Sequence, residues 1–237
     1  QPTYVIAEIG SNHDCSYEEA VRYIHRAAKA KVDAVKFQSF SAEGLVARKR
    51  PVGSMDLGAL DKPLSQKWEA HPAYPILEKL TLPDEWHSKL KAESEKVGVE
   101  FLSAPFEIEK AKLLKKIGTR AIKIASGELT NVPLLEEVAG YKMPVLVSTG
   151  MATLTEVERA LTILNRGGCD EVLIFHCVST YPPKFSDMNL KVLTTLAQAF
   201  GCPVGISDHT PGYTVPLVSL ALGSSCVEKH VTFDRAK

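Results

Sequence analysis

This 237-residue chain has no excess of either charge, no cysteine framework and no long apolar run, and each absence excludes a class of protein. Twenty-eight Lys plus Arg stand against 28 Asp plus Glu, so no basic field is available to hold a nucleic acid by counterion release. No stretch approaches the roughly 18 consecutive apolar residues of a membrane span, and no charged-then-apolar leader opens the chain, so no membrane partner is expected. The five cysteines (Cys15, Cys169, Cys177, Cys202 and Cys226) are odd in number and lack CxxC spacing. That pattern argues against disulfides and a thiolate zinc site, and for reduced thiols in a cytoplasmic setting. Gln1 stands where a start methionine would, so the sequence reads as a processed or excised piece.

What is present is alternation. With 45% hydrophobic residues the chain can bury a large core, and one domain spanning 1–237 is the simplest reading. Runs rich in Val, Ile and Phe begin at Tyr4, Ala34, Val99, Ala121, Pro144, Glu171, Pro203 and Cys226, which makes eight candidate strands. The spacers carry helical signals. Tyr17, Ala20, Val21, Ile24, Ala27 and Ala28 share one face behind a Ser16/Glu19 capping box, and Thr153/Glu156 repeats that box ahead of Leu154, Val157, Ala160 and Leu161. Leu190, Leu193, Ala197 and Phe200 mark another helix, and Pro83 opens one running to about Val97.

Near-continuous apolar strands separated by amphipathic helices imply parallel pairing, and eight such units predict an α/β fold, a (β/α)8 TIM barrel. An open doubly wound sheet is less fitting, because its first turn would carry GxGxxG where this chain has Gly10-Ser11-Asn12-His13. Two irregularities stand out. Residues Phe40 to Leu82 show little periodicity and hold Pro51, Gly53, Gly58, Pro63, Pro72 and Pro75, which reads as a lid. The chain also stops soon after the eighth strand, so the final helix of the barrel is expected to be missing.

Barrel enzymes work at the carboxyl ends of their strands, and polar residues concentrate there. Glu8 and Asn12 follow the first strand, Lys36, Gln38 and Ser39 the second, Ser103 the third, Lys123 and Ser126 the fourth, and Ser148 and Thr149 the fifth. His176 and Ser179 close the sixth, Ser207, Asp208 and His209 the seventh, and Glu228 and His230 the eighth. Lys36 and Lys123 interrupt apolar strands, where an unpaired ammonium is expensive to desolvate. Either a bound anion or a salt bridge to Glu8 or Glu228 would offset that expense. The small-residue turns Ser126-Gly127 and Ser148-Thr149-Gly150 supply further donors suited to phosphate. His209 and His230 end adjacent strands and together suit one divalent ion with open positions. His176 fits either the site or a bond to a backbone carbonyl. Tyr181-Pro182-Pro183 reads as a rigid turn aiming the Tyr181 ring at the mouth. His13 reads as part of the first loop, His25, His71 and His87 as surface or helix residues, and Arg48, Lys49 and Arg50 as a solvated part of the lid.

These residues also carry a family resemblance. AEIGSNH (Ala7 to His13), VKFQS (Val35 to Ser39), KIASGE (Lys123 to Glu128), STGM (Ser148 to Met151), HCVSTYP (His176 to Pro182), SDHT (Ser207 to Thr210) and EKHVT (Glu228 to Thr232) resemble, in order, the motifs of the sialic-acid synthase family, which makes nonulosonic acids and spore-coat sugars. The resemblance implies a metal-dependent barrel that condenses phosphoenolpyruvate with the open-chain aldehyde of N-acetylmannosamine or a similar N-acylated amino-sugar, releasing phosphate. By that resemblance Lys36, Lys123, Ser126, Ser148 and Ser207 hold phosphoenolpyruvate, and His209 and His230 hold Mn2+ or Mg2+. Glu8, Gln38, Tyr181 and Glu228 contact sugar or reacting atoms, with Glu8 the candidate acid/base. Ser179 joins the substrate-binding set although others have asparagine there, and Ala104 stands where several relatives have a hydroxyl residue. Relatives continue through a GPD-type motif into the last helix and an antifreeze-like domain that completes the partner's site in a homodimer. The piece in hand is therefore expected to have poor sugar affinity and little turnover. Two other readings of the residues stay open: a Schiff-base aldolase using Lys123 or Lys36 as nucleophile, and a non-catalytic sugar-phosphate binding module.

Overall fold

Eight short strands, each buried on both faces, hydrogen-bond side by side into one parallel ring in the computed structural model, which describes residues 2–52 and 67–235. The strands are β1 (Tyr4–Gly10), β2 (Ala34–Ser39), β5 (Glu100–Pro105), β6 (Ile122–Ile124), β7 (Val145–Ser148), β8 (Val172–Cys177), β9 (Val204–Asp208) and β10 (Cys226–His230). Their order is β5-β2-β1-β10-β9-β8-β7-β6, and β5 and β6 pack against each other, so the sheet is nearly closed as a barrel. The eight strands are those the apolar runs predict, trimmed at their ends.

The main crossovers are helical: α1 (Tyr17–Lys29), α4 (Asp84–Lys96), α5 (Ile108–Ile117), α6 (Val132–Ala139), α7 (Leu154–Arg166), α8 (Val192–Phe200) and α9 (Thr214–Ala221). At α7 the capping box forms in both directions, with Glu156 N donating to Thr153 Oγ1 and Thr153 N to Glu156 Oε2. At α1 only one arm forms. Glu19 N donates to Ser16 Oγ, while the Glu19 carboxylate turns away to Arg22. Residues 231–235, after β10, form no helix.

The segment read as a lid has more structure than its lack of periodicity suggested. It contains a one-turn helix α2 (Ala42–Leu45), an antiparallel pair of β3 (Lys49–Pro51) with β4 (Trp68–Ala70), and α3 (Tyr74–Leu80). Glu43 accepts from Arg48 and from the Tyr74 hydroxyl, and Ser41 donates to Glu107 at 3.1 Å, which ties the segment to the start of α5. Elements of three to seven residues are too short to print a period. Gly53, Gly58 and Pro63 lie outside the described residues.

Side-chain alternation divides the core in two. Ala7, Ile9, Val35, Phe37, Ile122, Ile124, Val145 and Val147 point out to the helices and form the larger core. Ile6, Ala34, Leu102, Phe175 and Cys226 point in, with Tyr4, Ala121, Leu146 and Leu173 packed beside them, and fill the barrel floor. Gly205 makes room for that floor: a Cβ there would sit 2.7 Å from the Phe175 ring and 2.8 Å from the Cys226 carbonyl oxygen.

Candidate active site at the barrel mouth

Two residues further along the same strands, the interior changes from apolar to ionic. Ile6 gives way to Glu8, Ala34 to Lys36, Ala121 to Lys123, Gly205 to Ser207 and Cys226 to Glu228. Glu8 and Lys36 are direct cross-strand partners, as are Ser207 and Glu228. Lys36 Nζ lies 2.7 Å from Glu8 Oε2 and 3.7 Å from Glu228 Oε2. Lys123 Nζ donates to both oxygens of Glu228, at 2.9 and 3.0 Å, and lies 4.8 Å from the centre of the Phe175 ring below it. Ser207 Oγ donates to Glu228 Oε1 at 2.9 Å, and Gln38 Nε2 to Glu8 Oε1 at 3.1 Å. The two lysines therefore have carboxylate partners within the protein, so their burial does not by itself require an anion.

This layer separates its two carboxylates chemically. Burial raises the pKa of Glu8 above the usual carboxylate range, against the pull of Lys36. Burial works the same way on Glu228 but is outweighed by Lys123 and Lys36 together, which hold it at about 2. One carboxyl is thus disposed to carry a proton and the other to remain an anion, the division that acid/base chemistry uses. Lys36 is desolvated too, yet Glu228 and Glu8 raise its pKa and keep it an ammonium.

A cradle of small polar groups forms where β6, β7 and β8 end. The Gly150 N–H donates to Ser126 Oγ at 3.1 Å, and a Cβ at Gly150 would overlap the hydroxyls of Ser179 and Ser126. Ser148 Oγ is buried and has no hydrogen-bond partner among the described residues. An unpaired buried hydroxyl at the carboxyl end of a barrel strand is a donor available to an anionic group.

At the ends of β9 and β10 the rings of His209 and His230 lie 5.3 Å apart, centre to centre, and the exposed Tyr181 ring packs 4.0 Å from His209. His209 Nδ1 donates to the Val178 carbonyl at 3.0 Å, which leaves Nε2 as the nitrogen with a lone pair. Burial lowers the pKa of His209, with smaller contributions from the neighbouring His230. His230 is lowered by desolvation and then by Lys36. Two neutral imidazoles, one with its tautomer set by a backbone carbonyl, are a donor set that fits a borderline divalent ion with positions left for other ligands. Among the described residues no group of three or more His, Cys, Asp or Glu comes together as a complete protein cage.

The structure thus gathers Glu8, Lys36, Gln38, Lys123, Ser126, Ser148, Ser179, Tyr181, Ser207, His209, Glu228 and His230 around the mouth. It leaves His176 out: that ring points to the helix side and bonds the Met188 carbonyl at 2.5 Å. His87, read as a surface or helix residue, lies in α4 but is fully buried, in contact with Ser39 Oγ at 2.7 Å. Gly150 and Cys177 were not singled out. Cys177 follows Phe175 by two on β8, so strand parity alone places it inside, where its Sγ lies 4.0 Å from His209 Nδ1. The glycine was legible only as part of a small-residue turn.

A model of the NeuB family matches residues 23–237. The chain is 37% identical over 235 residues to N,N'-diacetyllegionaminic acid synthase of Campylobacter jejuni, covering 98% of this chain and 68% of that protein. It is also 37% identical to the uncharacterized protein MJ1065 of Methanocaldococcus jannaschii, covering 99% of this chain and 64% of that one. The chain therefore spans about two thirds of the length of these relatives. Among solved structures, N-acetylneuraminic acid synthetase from Leptospira borgpetersenii, in complex with citrate, superposes with a TM-score of 0.85 at 32% identity, over 100% of this chain and 75% of that one.

Proposed function

This chain belongs to the NeuB family, and we propose that its whole protein condenses phosphoenolpyruvate with the open-chain aldehyde of an N-acylated amino-sugar, of the N-acetylmannosamine type, to give a nonulosonic acid and inorganic phosphate. The observation that carries this reading is the juxtaposition at one mouth of a Lys36–Glu8, Lys123–Glu228 layer, a cradle with an unpaired Ser148 hydroxyl, and two neutral imidazoles. The synthase names of the relatives support the same chemistry.

Lys36 and Lys123 supply fixed positive charge for a carboxylate and a phosphate, and Ser126, Ser148, Ser179 and Ser207 add neutral donors around it. Held so, the methylene carbon of the enol phosphate can be aimed at the aldehyde carbon, where orientation alone removes much of the barrier. His209 and His230 would hold Mn2+ or Mg2+, which when bound polarises the aldehyde oxygen. Glu8, its carboxyl raised by burial, serves as the acid/base that moves a proton to or from that oxygen. Water adds to the resulting oxocarbenium carbon, and phosphate leaves by C–O cleavage. Gln38, Tyr181 and Glu228 border the space for the sugar. The same family resemblance supports a homodimer as the assembled state and a cytoplasmic location. No helix among the described residues is long and apolar enough to cross a membrane.

A Schiff-base role for either lysine fits the geometry less well, because both amine nitrogens are already engaged by carboxylates. The test is the product that the full-length protein forms from phosphoenolpyruvate, Mn2+ and a panel of N-acylated hexoses, read by mass spectrometry with phosphate release. A nine-carbon keto acid formed with stoichiometric, chelator-sensitive phosphate is expected, and Ser148→Ala should raise the KM for phosphoenolpyruvate without lowering Tm. Borohydride-trapped lysine adducts with no phosphate release would overturn the reading.

A further inference from the structure

We infer that Asp208, Thr210 and Lys229 form a positioning unit that sets where His209 and His230 point, and thereby the affinity of the two-imidazole site for a divalent ion. The inference rests on the reading that these imidazoles hold such an ion.

Strand alternation puts Ser207 and Glu228 inside the barrel and Asp208 and Lys229 on the opposite face, away from the mouth chemistry. Asp208 is nevertheless buried to within 1% of complete exclusion, a place where a carboxylate must be fully partnered. Its Oδ1 accepts from the Thr210 backbone N–H at 2.9 Å and from Thr210 Oγ1 at 2.8 Å. Those bonds close a three-residue turn with His209 in the middle. Lys229 Nζ donates to Asp208 Oδ2 and to the Thr210 carbonyl, both at 2.6 Å. A single ammonium therefore holds both ends of the turn that presents one imidazole, and the next residue in its own strand is the other imidazole, His230.

Asp208 and Lys229 are also direct partners in the β9–β10 register. The link is thus short and rigid: from His209 through one carboxylate and one ammonium to His230, with no intervening loop. The pair is half-buried, the carboxylate covered and the ammonium partly open to solvent, so its main effect is on register and direction rather than on net stability. Groups that orient metal-binding imidazoles without touching the ion commonly change its affinity by about 10- to 100-fold when removed.

The experiment is a Mn2+ titration of the full-length protein, followed by the electron paramagnetic resonance signal of free Mn2+, with Tm measured in parallel. Wild type should bind one ion and His209→Ala should lose it. Lys229→Met and Asp208→Asn should each weaken Mn2+ binding by roughly 10- to 100-fold. The double variant should be no weaker than the worse single one, because the residues act together. Lys229→Arg, which keeps two donors, should recover most of the lost affinity. Thr210→Val removes only the hydroxyl and gives a gentler probe should Lys229→Met not fold; it too should weaken Mn2+ binding. Wild-type Mn2+ affinity in folded Lys229→Met, or in Thr210→Val where Lys229→Met does not fold, would overturn the inference while leaving the metal reading intact. Failure of wild type to bind better than His209→Ala would overturn both.

Discussion

The floor of the barrel and the layer directly above it are built by the same strands, two residues apart, yet they are held together by different physics. The floor is Ile6, Ala34, Leu102, Phe175 and Cys226 in apolar contact, with a glycine at 205 so that one aromatic ring can fill the centre. The layer above is Glu8, Lys36, Lys123, Ser207 and Glu228, where every charge is buried and every charge has a partner. Burial of apolar surface stabilises the first outright, at about 25 cal/mol per Å2. In the second, Coulomb attraction must first offset desolvation, so its gain is in preset charge rather than in stability. The barrel supplies a rigid base so that a costly polar layer can be kept in place.

The largest test of this contrast is Glu228→Leu, which removes every carboxylate bonded to Lys123. Leaving that ammonium buried and unpaired should lower stability by about 3–5 kcal/mol in chemical denaturation. Adding Lys123→Met should restore most of the loss while leaving the protein without activity. A double variant as unstable as the single one would mean that the upper layer, like the floor, is there for stability. Next in size, Gly205→Ala pushes a methyl group against Phe175 and should cost about 1–3 kcal/mol from overpacking, with a measurable fall in Tm. An unchanged Tm would show that the floor is looser than its contacts indicate.

A third environment sharpens the contrast: a buried polar group set among aromatic rings. His13 is fully buried between Phe37 and Trp86, its Nε2 without a hydrogen-bond partner among the described residues, and burial, against the pull of Asp14, lowers its pKa to about 4. Because the folded value lies below the unfolded one, the unfolded chain takes up the proton first as pH falls. Stability is thus fully present above about pH 6.5 and declines toward pH 4, with a slope from this residue of at most about 1.4 kcal/mol per pH unit. Urea midpoints measured across that range should show the decline, and His13→Asn should flatten it. A slope identical in the variant would place the acid sensitivity elsewhere, His87 being the next candidate.

Much of this architecture was legible because it is periodic. Eight apolar runs gave eight strands, and lysines standing inside such runs marked the interior layer. What periodicity does not encode was left open or missed. The pairing of Lys36 with Glu8 depends on which strands become neighbours: β1 sits between β2 and β10 in the ring, a fact of topology rather than of local sequence. Elements α2, β3, β4 and α3 are too short to show a repeat. His176, left open between the site and a backbone carbonyl, takes the Met188 carbonyl on the outward face of β8. Asp208 and Lys229 read as ordinary strand-end charges until the register brings them together.

The alternating sidedness of β1 and β10 lets one short stretch answer two independent demands. In β1, Ala7 and Ile9 are read by the surrounding helices while Ile6 is read by the barrel floor and Glu8 by whatever enters the mouth. Libraries that vary only one parity of these strands would therefore explore catalytic chemistry or shell packing separately, and a lineage can drift in one while conserving the other.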